Sequence, residues 1–247
     1  MEITLPTQVV VAETINPRNL ILFSKPKIGK SEAVSKLKNC LILDLESGTK
    51  MFDAMKVEIT DINHLFKVIK AIKESTHKYD YIAVDTITRL EEMILPLAED
   101  IYSKTPMGSK WFTEGKAKYG SILALPQGSG YMYVRLGFNK VINALKALNT
   151  NLILIGHVKD TLIDKGGVEF SALDLDLTGK LKRVLASDSD SIGYMYRGKN
   201  NENFISFVSS DEVACGSRSK HLRNANILIS KLEDNGELTT YWENIYK

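Results

Sequence analysis

The segment "FSKPKIGKSEA", Phe23 to Ala33, has residue types and spacing suited to holding a polyphosphate. Gly29, Lys30 and Ser31 complete the second half of the pattern G-x-x-x-x-G-K-[ST], and Ser24 stands where its first glycine belongs. In such a loop Lys30 reaches the β- and γ-phosphates and the Ser31 hydroxyl ligates Mg²⁺. Gly29 lets the backbone approach the anion without a Cβ in the way. Serine at position 24 fits if its φ stays negative. Lys25 and Lys27 flank Pro26 and add positive potential, and Ile28 and Glu32 complete the candidate nucleotide-binding segment.

Two carboxylates extend this chemistry. "YIAVDTITR" ends an apolar run in Asp85, a Walker B pattern in which the acid supports Mg²⁺ beside Ser31. In "LILDLESG", Glu46 is placed to polarise water against a γ-phosphate. Plainer readings exist for each: GKS in a surface turn, an aspartate capping the next helix, a solvated loop acid. Thr86, rather than glutamate, follows Asp85. Many AAA+ ATPases carry their catalytic glutamate there, so the sequence argues against that class.

These side chains need a scaffold. "NLILF", "CLILDL" (40–45), "YIAVD" (81–85) and "NLILIGH" (151–157) are strand-length apolar runs, as expected of strands buried on both faces of a parallel sheet. Helix-like segments alternate with them: "GKSEAVSKLK", "INHLFKVIKAIKES", "TRLEEMILPLAEDIY" and "RLGFNKVINALKALN". The alternation predicts βαβ units in an α/β fold with a mostly parallel central sheet flanked by helices. "SIGYMYRG" and "NFISFVSS", separated by "KNNEN", predict a C-terminal antiparallel hairpin. No linker or repeat divides the chain, so 1–247 reads as one domain.

Composition sets outer bounds. The chain has 247 residues, 44% hydrophobic and 25% charged, with a net charge of +2, so an anionic partner must be met by local patches. Cys40 and Cys215 have no metal-ligand spacing, which argues against a disulfide framework or zinc site and for a reducing cytoplasm. The N-terminus lacks the basic region of a signal peptide, and no run is long enough to span a bilayer.

A phosphate loop, D-x-E on the next strand, a Walker B strand and a fourth strand ending in a polar residue together resemble the RecA-like P-loop ATPases, over about residues 18–225. "GHVKD" is similar to the compact RecA-core proteins of bacteria and phages that promote single-strand annealing. The resemblance implies ATP and Mg²⁺ as cofactors, Glu46 as the water-activating acid and His157 as a γ-phosphate sensor. It implies a homo-oligomer, ring or filament, in which Arg218 or Lys220 of "CGSRSKHLRNAN" reaches a neighbour's phosphates. It also implies single-stranded DNA as a partner, with a single-strand-binding protein as a further one, in a bacterial host's cytoplasm.

Residues 101–140 interleave cations and aromatics, as single-stranded nucleic acid binding requires. Lys110, Trp111, Lys116, Lys118 and Tyr119 are the candidates, with Trp111 and Tyr119 expected to be exposed; core packing is the plainer reading of such aromatics. A second DNA loop is expected in "VKDTLIDKGGVEF", carrying Lys159 and Lys165, where Gly166 and Gly167 read as mobile. Rival functions are a helicase-type motor, a small-molecule kinase and a nucleotide-gated scaffold without turnover.

Overall fold

The computed structural model describes residues 5, 7–113, 122–165, 168–210 and 212–247. In chain order its elements are β1 (Asn19–Ser24), α1 (Lys30–Ser35), β2 (Cys40–Asp44), β3 (Lys56–Glu58), α2 (Ile62–Glu74), β4 (Tyr81–Asp85), α3 (Ile87–Met93), α4 (Leu95–Ser103) and α5 (Pro106–Thr113). There follow α6 (Gly130–Lys146), β5 (Asn151–Lys165), β6 (Val168–Leu175), α7 (Leu181–Asp188), β7 (Ser191–Arg197), β8 (Glu202–Ser206), β9 (Gly216–Ser217), β10 (Asn226–Leu232) and β11 (Leu238–Thr240).

The sheet order is β11-β10-β8-β7-β1-β5-β4-β2-β3, with β6 on β5 and β9 on β7. Strands β7, β1, β5, β4, β2 and β3 run parallel, which is the α/β architecture expected. The expected hairpin is β7–β8, paired antiparallel, and β10 and β11 continue it past residue 225.

Strand alternation divides the core between the two faces. Ile21 and Phe23 of β1 point to one face, under Leu65 and Ile69 of α2, Leu90 of α3, Phe138 and Val141 of α6 and Leu181 of α7. Leu20 and Leu22 point to the other, against Ala33 and Val34 of α1 and against Leu222, Trp242 and Ile245. Each fully buried aliphatic side chain contributes roughly 1.5–3 kcal/mol, so the continuous runs in β1, β2 and β4 fix these strands at the centre.

Two helices differ from their sequence pattern. The segment after Asp85 forms α3 and α4 rather than one helix, because Pro96 lies at the start of α4 and has no N–H for a continuous ladder. Helix α1 spans only six residues, Lys30 to Ser35. No helix among the described residues is long and apolar enough to cross a membrane.

Candidate functional site

Ligands of open parallel sheets gather outside the carboxyl ends of the strands. Ser24, Asp44 and Asp85 end β1, β2 and β4 at that edge, and His157 of β5 lies in register with Ser24.

Ser24 is buried and is not among the residues with positive φ, the condition under which serine replaces glycine without strain. The left-handed positions of the loop fall on Lys27 (φ 62°) and Gly29 (φ 102°). The Lys30 ammonium donates to Ser24 Oγ at 2.7 Å and, more weakly, to the carbonyls of Lys25 (3.4 Å) and Ser24 (3.5 Å). Ser24 Oγ donates in turn to the Lys25 carbonyl at 2.7 Å. The serine is therefore an added ligand for the lysine. Lys25, Pro26 and Lys27 are exposed, Ile28 packs against the α1 face of the core, and Glu32 lies in the first turn of α1.

Burial pushes the Lys30 ammonium down to about 8, against the opposing pull of Asp85 and Glu46. Burial likewise raises the Asp85 carboxyl to about 6, partly offset by a hydrogen bond from Ser31. The Ser31 hydroxyl and Asp85 carboxylate thus meet, as they must to support one metal ion. No group of three or more His, Cys, Asp or Glu among the described residues forms a metal cage. A hydroxyl and a carboxylate, with water and phosphate oxygens, suit Mg²⁺, which keeps much of its hydration. A buried carboxylate short of positive charge fits that ion.

Glu46 is brought in from the neighbouring strand. Its Oε1 accepts from the Thr86 hydroxyl at 2.6 Å and lies 3.2 Å from His157 Nε2. The hydrogen bond with His157 is the main influence holding its carboxyl below the usual range, with Thr86 adding to it against the effect of burial. Asp44 shapes the turn that presents it: its carboxylate accepts from the backbone N–H groups of Glu46 (3.1 Å), Gly48 (3.3 Å) and Thr49 (3.0 Å). Thr88 Oγ1 accepts from the His157 N–H at 3.2 Å.

Thr86, Thr88 and Asp44 carry parts of this geometry that the sequence reading did not assign. The signal was present for two of them. Thr86 occupies the place after the Walker B aspartate, and Asp44 is the first residue of D-x-E.

His157 is not at a strand end. It marks the point where β5 leaves its parallel neighbours and runs on to pair antiparallel with β6, from Val158↔Leu175 to Lys165↔Val168. The stretch expected as a second mobile loop therefore forms the paired strands β5 and β6; Gly166 and Gly167, where mobility was expected, lie outside the described residues. The sequence signal for the pairing was a Gly-Gly pair between β-prone runs. Lys159 is exposed and lies 4.0 Å from Asp176; the Lys165 side chain lies outside the described residues.

The other DNA candidates lie on α5 or outside the described residues. Lys110 and Trp111 lie on α5. Trp111 is half-buried against the core instead of exposed, beside a cavity of about 690 Å³ shared with Tyr102, Met107 and Leu125. Lys116, Lys118 and Tyr119 lie outside the described residues.

Arg218 stands at the amino edge of the sheet. Its N–H donates to the Asp190 carbonyl (2.8 Å) and its guanidinium to the Ser187 carbonyl (2.6 Å), while Asp190 also accepts from the N–H of Asn19 at the start of β1. Within one chain it is roughly 17 Å along β1 from the phosphate loop. Lys220 is exposed in the next turn.

A parallel sheet whose carboxyl edge carries a Gly-Lys-Ser loop and a strand-ending aspartate hydrogen-bonded to that serine is the arrangement of a P-loop nucleotide-binding ATPase fold. The chain belongs to the AAA domain family, whose profile matches residues 16–219. Among curated proteins, none matches the chain. Membership corrects the expectation drawn from Thr86 against the AAA class. The physical reason is visible in the site: a carboxylate does stand beside Thr86, but it is Glu46, delivered from β2. The family indicates ATP with Mg²⁺ as ligands and ATPase activity.

Proposed function

We propose that the protein is a RecA-like ATPase that hydrolyses Mg-ATP, binds single-stranded DNA as a homo-oligomer, and serves strand annealing or recombination. The observation that carries the hydrolytic part is the Glu46 carboxylate held by Thr86 and His157 at the edge where Lys30, Ser31 and Asp85 meet. Lys30 holds the β- and γ-phosphates, and Ser31 with Asp85 holds the metal. Bound Mg²⁺ supplies neutralisation of the charge that develops on the phosphoryl oxygens. Glu46, ionised at neutral pH, accepts a hydrogen bond from water and orients it for in-line attack.

Coupling to DNA is supported by the continuity of β5, which joins His157 to the β5–β6 hairpin carrying Lys159. A change at the γ-phosphate that alters the Glu46–His157 contact has a rigid strand through which to reach that hairpin. Lys110, Trp111 and the hairpin lysines form the proposed DNA surface. Arg218 or Lys220 of a neighbouring copy completes the site, in keeping with the distance of Arg218 from its own phosphate loop.

The test is ATP hydrolysis with and without single-stranded DNA, beside Glu46→Gln. The expected result is turnover that DNA stimulates and that the variant loses while still binding ATP. Turnover indifferent to Glu46→Gln would remove the catalytic assignment. Turnover indifferent to DNA would remove the coupling and bring the kinase reading forward, nucleotide binding without turnover would favour the scaffold, and unwinding of a tailed duplex would favour a motor.

A further inference from the structure

Helix α1 must hold Lys30 and Ser31 in place, yet its six residues are too few to be helical in water unaided. Its support therefore comes from tertiary contacts. On its face of the sheet the buried core residues outside the strands and beyond α1 include Phe207, Leu222, Trp242 and Ile245. Trp242 is 5% exposed and donates its Nε1–H to the Ala33 carbonyl at 2.7 Å in a buried hydrogen bond. The same carbonyl accepts from the Lys36 N–H at 3.3 Å, so the indole makes the shorter bond. Ala33 lies two residues beyond Ser31.

The segment carrying Trp242 is itself pinned. Tyr241 N–H donates to the Ile229 carbonyl (2.9 Å), and Asn244 Nδ2 to the Leu228 carbonyl (3.1 Å). Asn16 and Lys247 exchange two hydrogen bonds, at 2.7 and 3.0 Å. Residues 241–247 lie beyond residue 219, where the family match ends.

We infer that residues 241–247 form a strut that fixes the phosphate-loop helix, with Trp242 a positioning residue for nucleotide binding through Ala33. The inference rests on the reading of this loop as an ATP site. It assigns to a part of the chain outside the family match a contribution to ground-state binding. Phosphate contacts made by Lys30 and Ser31 weaken when α1 frays, whereas Asp85 ends β4 and Glu46 lies just beyond β2, and both keep their places.

The experiment uses the full chain with Trp242→Phe, which keeps an aromatic ring and loses the N–H. Ile69→Val trims one methyl group from the core on the opposite face of the sheet and serves as control for general destabilisation. Hydrogen–deuterium exchange without nucleotide, and KM and kcat for Mg-ATP, are read for each. Losing one neutral hydrogen bond predicts amide exchange in residues 33–37 about fivefold faster, with β4 unchanged, and KM raised about fivefold with kcat within about twofold. The control is expected to match the wild type in KM.

Equal KM in the wild type and Trp242→Phe overturns the strut. Faster exchange throughout, β4 included, with KM unchanged makes Trp242 plain core packing and overturns it equally. A wild type that binds no ATP overturns the nucleotide reading and the inference with it, an outcome distinct from the first two. If Trp242→Phe does not fold, Asn244→Ala loosens the segment at an exposed anchor, and a KM rise of about twofold is then required.

Discussion

Replacing Thr86 by valine tests the site most directly, because valine keeps the branched shape and removes only the hydroxyl. That hydroxyl is 1% exposed by residue and makes two bonds: it donates to Glu46 Oε1 at 2.6 Å and accepts from the Arg89 N–H at 3.2 Å. The second bond caps α3, and its loss costs about 1 kcal/mol of stability. The first is a hydrogen bond to an ionised carboxylate, worth about 1.5–3 kcal/mol. If Glu46 orients water in the transition state, that range becomes a fall in kcat of roughly 10- to 150-fold. KM for Mg-ATP should move little, since Lys30, Ser31 and Asp85 are untouched. The assay is steady-state phosphate release at saturating ATP, with the folded fraction normalised by circular dichroism and with Thr86→Ser as the rescue. Serine should return kcat to within about threefold of wild type. A valine variant with wild-type kcat, or a serine variant as slow as valine, refutes the reasoning.

The titration of the site gives a second prediction. Binding Mg-ATP needs Asp85 ionised and Lys30 charged, so affinity should be greatest between about 6 and about 8. As pH falls through the raised Asp85 value the proton competes with the metal, and as it rises through the depressed Lys30 value the ammonium is lost. Calorimetric Kd values should weaken towards tenfold per pH unit beyond either limit, and a flat profile, or an acid limb that survives Asp85→Asn, contradicts this. Asp44→Asn should cost about 2 kcal/mol in chemical denaturation by placing an amide against N–H donors of the Glu46 turn, and should lower kcat more than it raises KM. Both cysteines are buried and unpaired, with burial pushing the Cys40 thiol up to about 12 and Cys215 upward too. Alkylation near neutral pH should therefore be slow in the folded protein and fast in denaturant; rapid labelling of Cys40 in the native state would contradict its packing.

The sequence by itself determined the sheet and the loop. Continuous apolar runs at β1, β2 and β4 can be satisfied only by burial on both faces, and the spacing of Gly29, Lys30 and Ser31 after the first of them places a phosphate loop at its carboxyl end. Asp85 and Glu46 were legible for the same reason, since a strand's end fixes where its last residues emerge. Tertiary structure alone decided what each group touches. That Glu46 meets Thr86 and His157 depends on the strand order β5-β4-β2, and no local pattern records which strand lies beside which. The residues on either side of Gly166 and Gly167 have a loop-like sequence yet pair as β5 and β6, and pairing is a property of two strands together. Trp242 and Ala33 are separated by 209 residues, so a bond between them exists only once the chain has folded. Local sequence sets the period and the ends of an element, whereas neighbours distant in the chain set its partners.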